Sequence, residues 1–198
     1  MTLSTVCVFC GSQSGRRPEY AEAAAELAAA LAGRGISLVF GGGHVGLMGA
    51  VADAGLAAGG RVIGIIPQHL MRPELAHRGL TELQVVASMH ERKRAMAAAS
   101  DAFVVLPGGY GTLEEMFEMV TWLQLQLQSK PVGILNIEGY FDPLLAFLRH
   151  AADEGFIRPE HWDLLIVEHG PALLLDRLEL HAARMSQVHP AVVDPQRS

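Results

Sequence analysis

Ala102-Phe-Val-Val-Leu-Pro-Gly-Gly-Tyr-Gly-Thr-Leu-Glu-Glu115 decides the fold. Its first five residues, Ala102 to Leu106, form the continuous apolar run that a parallel strand buried on both faces requires. From Leu113 to Gln128 the apolar residues recur with helical spacing, so this stretch reads as a helix. Between the two lie Gly108, Gly109 and Gly111. Such a turn leaves backbone N–H groups uncovered and positive φ available, so it can curl around a small group. The helix start behind it offers unpaired N–H donors and a positive dipole end, which together favour a phosphate-like anion.

The same alternation runs through the chain. Strands are expected at Thr5 to Cys10, Ile36 to Phe40, Arg61 to Ile66, Leu83 to Ala87 and Pro131 to Leu135, with a short extended piece at Leu164 to Val167. Helices are expected at Pro18 to Leu31, about Leu47 to Ala58, Met89 to Ala99, Phe141 to Glu154 and Ala172 to Met185. Residues 67–81 show no clean period and read as a loop. Short apolar strands alternating with helices predict an α/β fold: a doubly wound, Rossmann-like, mostly parallel sheet with helices on both faces. One domain is expected over residues 1–185, with a frayed tail at 186–198 that carries Pro190 and Pro195. In such sheets ligands bind at the carboxyl ends of the strands, where both glycine-rich loops fall.

Composition narrows the function. Of 198 residues half are hydrophobic, and mean hydropathy is +0.25, so a large core is expected. A net charge of -6 argues against a nucleic-acid partner or an acidic membrane surface. No apolar run approaches the roughly 20 residues of a membrane span. The opening Met1-Thr-Leu-Ser-Thr-Val has no basic n-region, so a cytoplasmic protein is expected. Cys7 and Cys10 have redox-motif spacing, but Val6-Cys-Val-Phe-Cys10 reads as strand interior, which favours buried, inert thiols.

Gly41-Gly-Gly43-His-Val-Gly46 fits a dinucleotide-binding pattern. The acidic residue expected about 20 positions on is missing, because that strand ends Ile65-Ile66-Pro67-Gln68. No Lys-Ser/Thr follows the glycines, so the Walker pattern fails too. A tight strand-to-helix turn without ligand explains one such loop; two in one sheet favour a ligand, with Gly42, Gly43 and Gly46 as candidates. Met89-His-Glu-Arg92-Lys93-Arg94 places cations at a helix start, where the dipole disfavours them, so something negative should offset them. The alternative is a solvated basic face. The histidines show no metal-ligand spacing. Thr112-Leu-Glu-Glu115 fits a capping box with Thr112 as N-cap, so Glu115 reads either as a structural cap or as a catalytic carboxylate. Helix 113–128 is apolar on nearly every face, which suits a homodimer interface or a central helix of a monomer.

These residues resemble the Lonely Guy (LOG) family, often mislabelled as lysine decarboxylases. The resemblance rests on Gly108-Gly109-Tyr110-Gly111-Thr112 within Pro107 to Glu115, on Met89-His-x-Arg92-Lys93, on Gly41-Gly-Gly43-x-x-Gly46-Leu-Met-Gly49 and on Val8-Phe-Cys10-Gly-Ser12. It spans about residues 5–180. It implies a cytokinin riboside 5'-monophosphate phosphoribohydrolase, which cleaves the N-glycosidic bond of N6-substituted AMP and often of AMP itself. It implies Arg92 and Glu115 as the catalytic pair, and Glu74, Arg92, Lys93, Gly109, Tyr110, Gly111, Thr112, Leu113, Glu115 and Thr121 as substrate-binding. No metal or organic cofactor is implied. Gln13 stands where the family pattern carries a second serine, so a hydroxyl contact is not expected there. A nucleotide sensor without hydrolysis, or a nicotinamide oxidoreductase, are the rival classes; a sensor has no need of the Arg92 and Glu115 pair.

Overall fold

The computed structural model describes residues 2–72 and 75–188. Seven strands form one all-parallel sheet: β1 (Thr5–Phe9), β2 (Ser37–Phe40), β3 (Val62–Pro67), β4 (Glu82–Val86), β5 (Ala102–Val105), β6 (Val132–Leu135) and β7 (Leu165–Glu168). Their spatial order is β4-β3-β2-β1-β5-β6-β7. The order reverses between β1 and β5, where a doubly wound sheet opens its crevice. The helices are α1 (Glu19–Gly33), α2 (Gly46–Ala57), α3 (Met89–Ala98), α4 (Tyr110–Gln124), α5 (Asp142–Asp153) and α6 (Pro171–Val188).

Alternate strand residues feed two cores, as a strand's period of two dictates. Val6, Val8, Phe40 and Val104 face a cluster built with α1, α2 and α6. Cys7, Phe9, Phe103 and Val105 face the other cluster, with α3 and α4. The two cysteines therefore lie on opposite faces of the sheet, Cys7 in one cluster and Cys10 in the other. Both are free and buried.

The expected alternation and sheet direction hold. Several boundaries do not. The decisive helix begins at Tyr110, three residues before the expected Leu113, with Gly109 as its N-cap. It ends at Gln124, because Gln126 takes φ +58° and the chain closes in a Schellman motif. The N–H of Leu127 donates to the Trp122 carbonyl at 2.9 Å, and that of Gln126 to Leu123 at 3.1 Å. α6 runs to Val188, past the expected Met185, and residues 189–198 of the expected tail lie outside the described residues. The 67–81 loop contains a 3-10 turn at Gln68–Leu70.

Candidate active site

The β5–α4 turn keeps its donors open. Tyr110, Gly111 and Thr112 are the first three helical residues, whose N–H groups have no partner within the helix. No side chain caps them. A Cβ built on Gly109 or Gly111 would meet nothing within 4 Å, so an oxyanion has room to approach. Gly109, Tyr110 and Gly111 are exposed, with Tyr110 at 95%. From the other side the Tyr140 hydroxyl donates to the Gly108 carbonyl at 2.6 Å and pins the turn. The N–H of Gly11 donates to the Pro107 carbonyl at 3.0 Å, which joins the turn to the end of β1.

Thr112 is not the N-cap. It is the third residue of α4, and it is buried against Gly108. Glu115 consequently lies in the second turn, out of capping register, and the capping-box reading falls away. What Glu115 does face is Arg92. Arg92 Nη2 lies 3.4 Å from Glu115 Oε1, with both side chains about nine-tenths buried. Arg92 Nε also donates to the Ile65 carbonyl at the end of β3, at 3.2 Å. Burial raises the Glu115 pKa above its ordinary value, and the Arg92 guanidinium opposes that rise. Glu115 sits four residues beyond Gly111, about 6 Å along the helix axis.

The basic cluster finds its negative partners within the chain. Lys93 Nζ lies 2.5 Å from Glu114 Oε1 and 3.1 Å from Glu118 Oε2, so it ties α3 to α4. Burial alone would lower the Lys93 pKa; the bonds its ammonium makes to the Glu114 and Glu118 carboxylates outweigh it, and the pKa is raised. Leu113 is half-buried against the core cluster under α4. Thr121 is exposed, six residues beyond Glu115 and about 120° round the helix from it. Glu74 lies outside the described residues.

The second glycine loop has a different job. The N–H groups of Leu47 and Met48, at the start of α2, donate to the Gly11 carbonyl at 3.0 and 3.3 Å. That helix end is thus occupied by backbone. Gly46 has φ +61°, and a Cβ there would come within 2.4 Å of the Ser12 and Gln13 backbone. A Cβ on Gly43 would meet Met48 Cε at 2.6 Å. The loop forms a wall, and Arg92 lies against it: a Cβ on Gly41 would be 2.0 Å from Arg92 Nη2.

Two clefts flank this region. One of about 290 Å³ is lined by Gly11 to Gly15, Tyr20, Pro107 to Gly109 and Tyr140. It opens beside the glycine turn, but neither Arg92 nor Glu115 lines it. The other, about 350 Å³, presents Glu19, Glu22, Glu26 and Glu138, a lining that repels a phosphate. Among the described residues no group of three or more His, Cys, Asp or Glu could hold a metal ion.

Sequence relatives match most of the chain. The model of a family described as "Possible lysine decarboxylase" matches residues 48–178. The protein of Arabidopsis thaliana named cytokinin riboside 5'-monophosphate phosphoribohydrolase LOG1 is 46% identical over 183 residues, 92% of this chain and 86% of that protein. The chain belongs to the Lonely Guy family. A second LOG protein, from Oryza sativa subsp. japonica and named "Probable cytokinin riboside 5'-monophosphate phosphoribohydrolase LOGL9", is 52% identical over 174 residues, 88% of this chain and 77% of its own length. Among solved structures, the molybdenum cofactor binding protein of Rippkaea orientalis superposes with TM-score 0.68 at 22% identity, covering 91% of this chain and 98% of its own. The Chlamydomonas reinhardtii molybdenum cofactor carrier protein gives 0.66 at 22% identity, covering 90% and 98%. These two likenesses show the LOG-type fold alone.

One feature near the site carries a local sequence signal. Ser88 caps α3, accepting from the Glu91 N–H at 3.1 Å, while Glu91 Oε2 accepts from Ala87 N–H at 2.9 Å. The Ser88-x-x-Glu91 pattern is there to be read. Tyr140, by contrast, reaches Gly108 across 32 positions and carries no local signal.

Proposed function

We propose that this chain hydrolyses the N-glycosidic bond of adenosine 5'-monophosphates, plain or N6-substituted, releasing free base and ribose 5-phosphate. The observation that carries the reading is a buried carboxylate–guanidinium pair, Glu115 and Arg92, beside an uncapped helix N-terminus. The LOG relatives, about half identical and named phosphoribohydrolases, support it.

The 5'-phosphate oxygens accept from the N–H groups of Gly109, Gly111 and Thr112, aided by the α4 dipole. Breaking the bond from C1' to the base builds positive charge on the ribose. The ionised Glu115 faces that charge and orients the attacking water. The water oxygen bonds to C1', the C1'–N pair leaves with the base, and a water proton ends on the base nitrogen. Arg92 positions the substrate and holds Glu115. Tyr110, Leu113 and Glu74 complete the substrate-binding set, and no metal or cofactor takes part. Lys93 serves the site by fixing α3 to α4.

The decarboxylase description fits the side chains poorly. That chemistry needs an amine free to form a Schiff base. Lys93 is held between two carboxylates, and Lys130 donates to the carbonyl of Ala97, in the last turn of α3, at 2.6 Å.

The same reading treats residues 1–185 as one domain that works as a homodimer through the α4 region. Thr121, turned away from Glu115 on its own helix, would then serve the site of a second copy. Two free buried thiols suit the reducing cytoplasm. Incubation with AMP and with isopentenyl-AMP, followed by chromatography, tests the activity. Free adenine or isopentenyladenine with ribose 5-phosphate is expected. Nucleotide binding without base release would overturn the hydrolase and favour a sensor.

A further inference from the structure

His77 belongs to none of the motifs above, yet it is buried and fully engaged. Its side chain is 10% exposed. Nδ1 accepts from the Gly79 N–H at 3.1 Å. A backbone N–H can only donate, so Nδ1 carries no proton and the ring proton sits on Nε2. Nε2 therefore donates to Asp53 Oδ1 at 2.9 Å. Asp53 stands in the middle of α2, with 74% of its side chain exposed. The imidazole thus joins the 75–79 segment to α2.

That segment is also stitched to the second glycine loop. The N–H of His77 donates to the Gly42 carbonyl at 2.9 Å, and the N–H of His44 donates to the Leu75 carbonyl at 2.9 Å. Gly43 and Ala76 form an antiparallel bridge between these bonds. The paired backbone leads directly into Gly41, whose missing Cβ makes room for the Arg92 guanidinium. Loosening the strap frees the wall, and with it the surface that sets the Arg92 fork against Glu115.

We propose that His77 is a positioning residue: its bond to Asp53 locks the 75–79 strap, and the strap fixes the glycine wall that aims Arg92 at Glu115. This rests on the hydrolase reading, in which Arg92 is catalytic. The link is mechanical. His77 touches neither Arg92 nor the α4 turn in any hydrogen bond, and acts through the 41–44 backbone.

The test pairs kinetics with the 15Nε–H resonance of Arg92, assigned by comparison with Arg92→Lys. In His77→Ala the resonance should move toward that of a solvated arginine. kcat should fall about ten- to a hundredfold, as for other small misplacements of a catalytic group. KM for AMP should hold nearly constant, because the phosphate cradle on α4 is untouched. His77→Gln keeps a donor toward Asp53 and should restore much of the rate, as should Asp53→Asn, which keeps the acceptor. In an Arg92→Ala background, His77→Ala should cost no further rate. An unmoved Arg92 resonance with wild-type kcat overturns the proposal, and so does a loss that adds to that of Arg92→Ala. If His77→Ala does not fold, Asp53→Ala removes the same latch from its exposed side. If the wild-type protein releases no base, the hydrolase reading fails, while the Arg92 resonance still decides the role of His77.

Discussion

Glu115 sits between opposing influences, and its chemistry depends on which one governs its proton. Burial raises its pKa above the ordinary 4.5, and Arg92 pulls it back. A carboxylate that orients water must be ionised. Activity should therefore fall as pH drops through a value above 4.5, and the acidic limb of kcat against pH should report it. Glu115→Gln should abolish that limb and lower kcat roughly a hundredfold or more, with AMP still bound by the α4 turn. Undiminished turnover in the variant, or a limb at the ordinary carboxylate value, would remove Glu115 from the chemistry. The cysteines are a contrasting case. Burial drives both thiols well above their usual range, so the thiolate that reacts is scarce. Neither Cys7 nor Cys10 should titrate with Ellman's reagent in the folded protein, and both should after denaturation. Rapid native labelling of either would show that its burial is not maintained.

At the scale of elements, strand and helix order was legible because burial on both faces leaves unbroken apolar runs such as Ala102 to Leu106. Helix ends were less legible. Glycine at 109 and 111 reads as turn, yet the helix already begins at Tyr110, since the backbone and not a side chain forms this cap. Gln126 looks like one more helical residue but takes the left-handed conformation that ends α4. Gly replaces an L residue there without Cβ strain, so Gln126→Gly should stabilise the protein by about 1 kcal/mol in urea unfolding. A destabilised variant would mean that Gln126 contributes contacts worth more than its strain. The proposed catalytic pair was legible as motif residues, but not as an ion pair, because Arg92 and Glu115 come from different helices. The Lys93 cluster shows the same gap. Its residues were visible, and its partners Glu114 and Glu118 were not. Lys93→Met should cost about 1–3 kcal/mol, mostly through Glu118, since Glu114 is 55% exposed and solvent screens it. The Lys93 pKa is raised, so its contribution is complete below 10.5 and is lost as pH rises through the folded value. The stability gap between wild type and variant should narrow at strongly alkaline pH; a constant gap would point to packing instead.

For the whole molecule, the early end of α4 has a consequence at the surface. Leu125 and Leu127 leave the helix with 59% and 68% of their area exposed, while Phe117, Val120 and Trp122 are only half-buried. Isolated exposed leucines are common, but a run of apolar side chains along one helix and its exit marks a contact surface. Under the proposed function, in which Thr121 serves a site, its position points the same way, because it faces away from the Glu115 of its own chain. A homodimer that covers the end of α4 would bury the leucines and bring a second copy toward each site. Size-exclusion chromatography with light scattering should give twice the 21.3 kDa chain mass. Leu125→Asp with Leu127→Asp should shift the protein to the monomer, since two carboxylates would have to be desolvated in the interface. Because neither residue supports the core, the variant should keep its wild-type circular dichroism. Turnover should fall with the loss of the dimer if the sites need the second copy. A monomeric wild type, or a double variant that keeps its dimer mass, would place the contact surface elsewhere on the molecule.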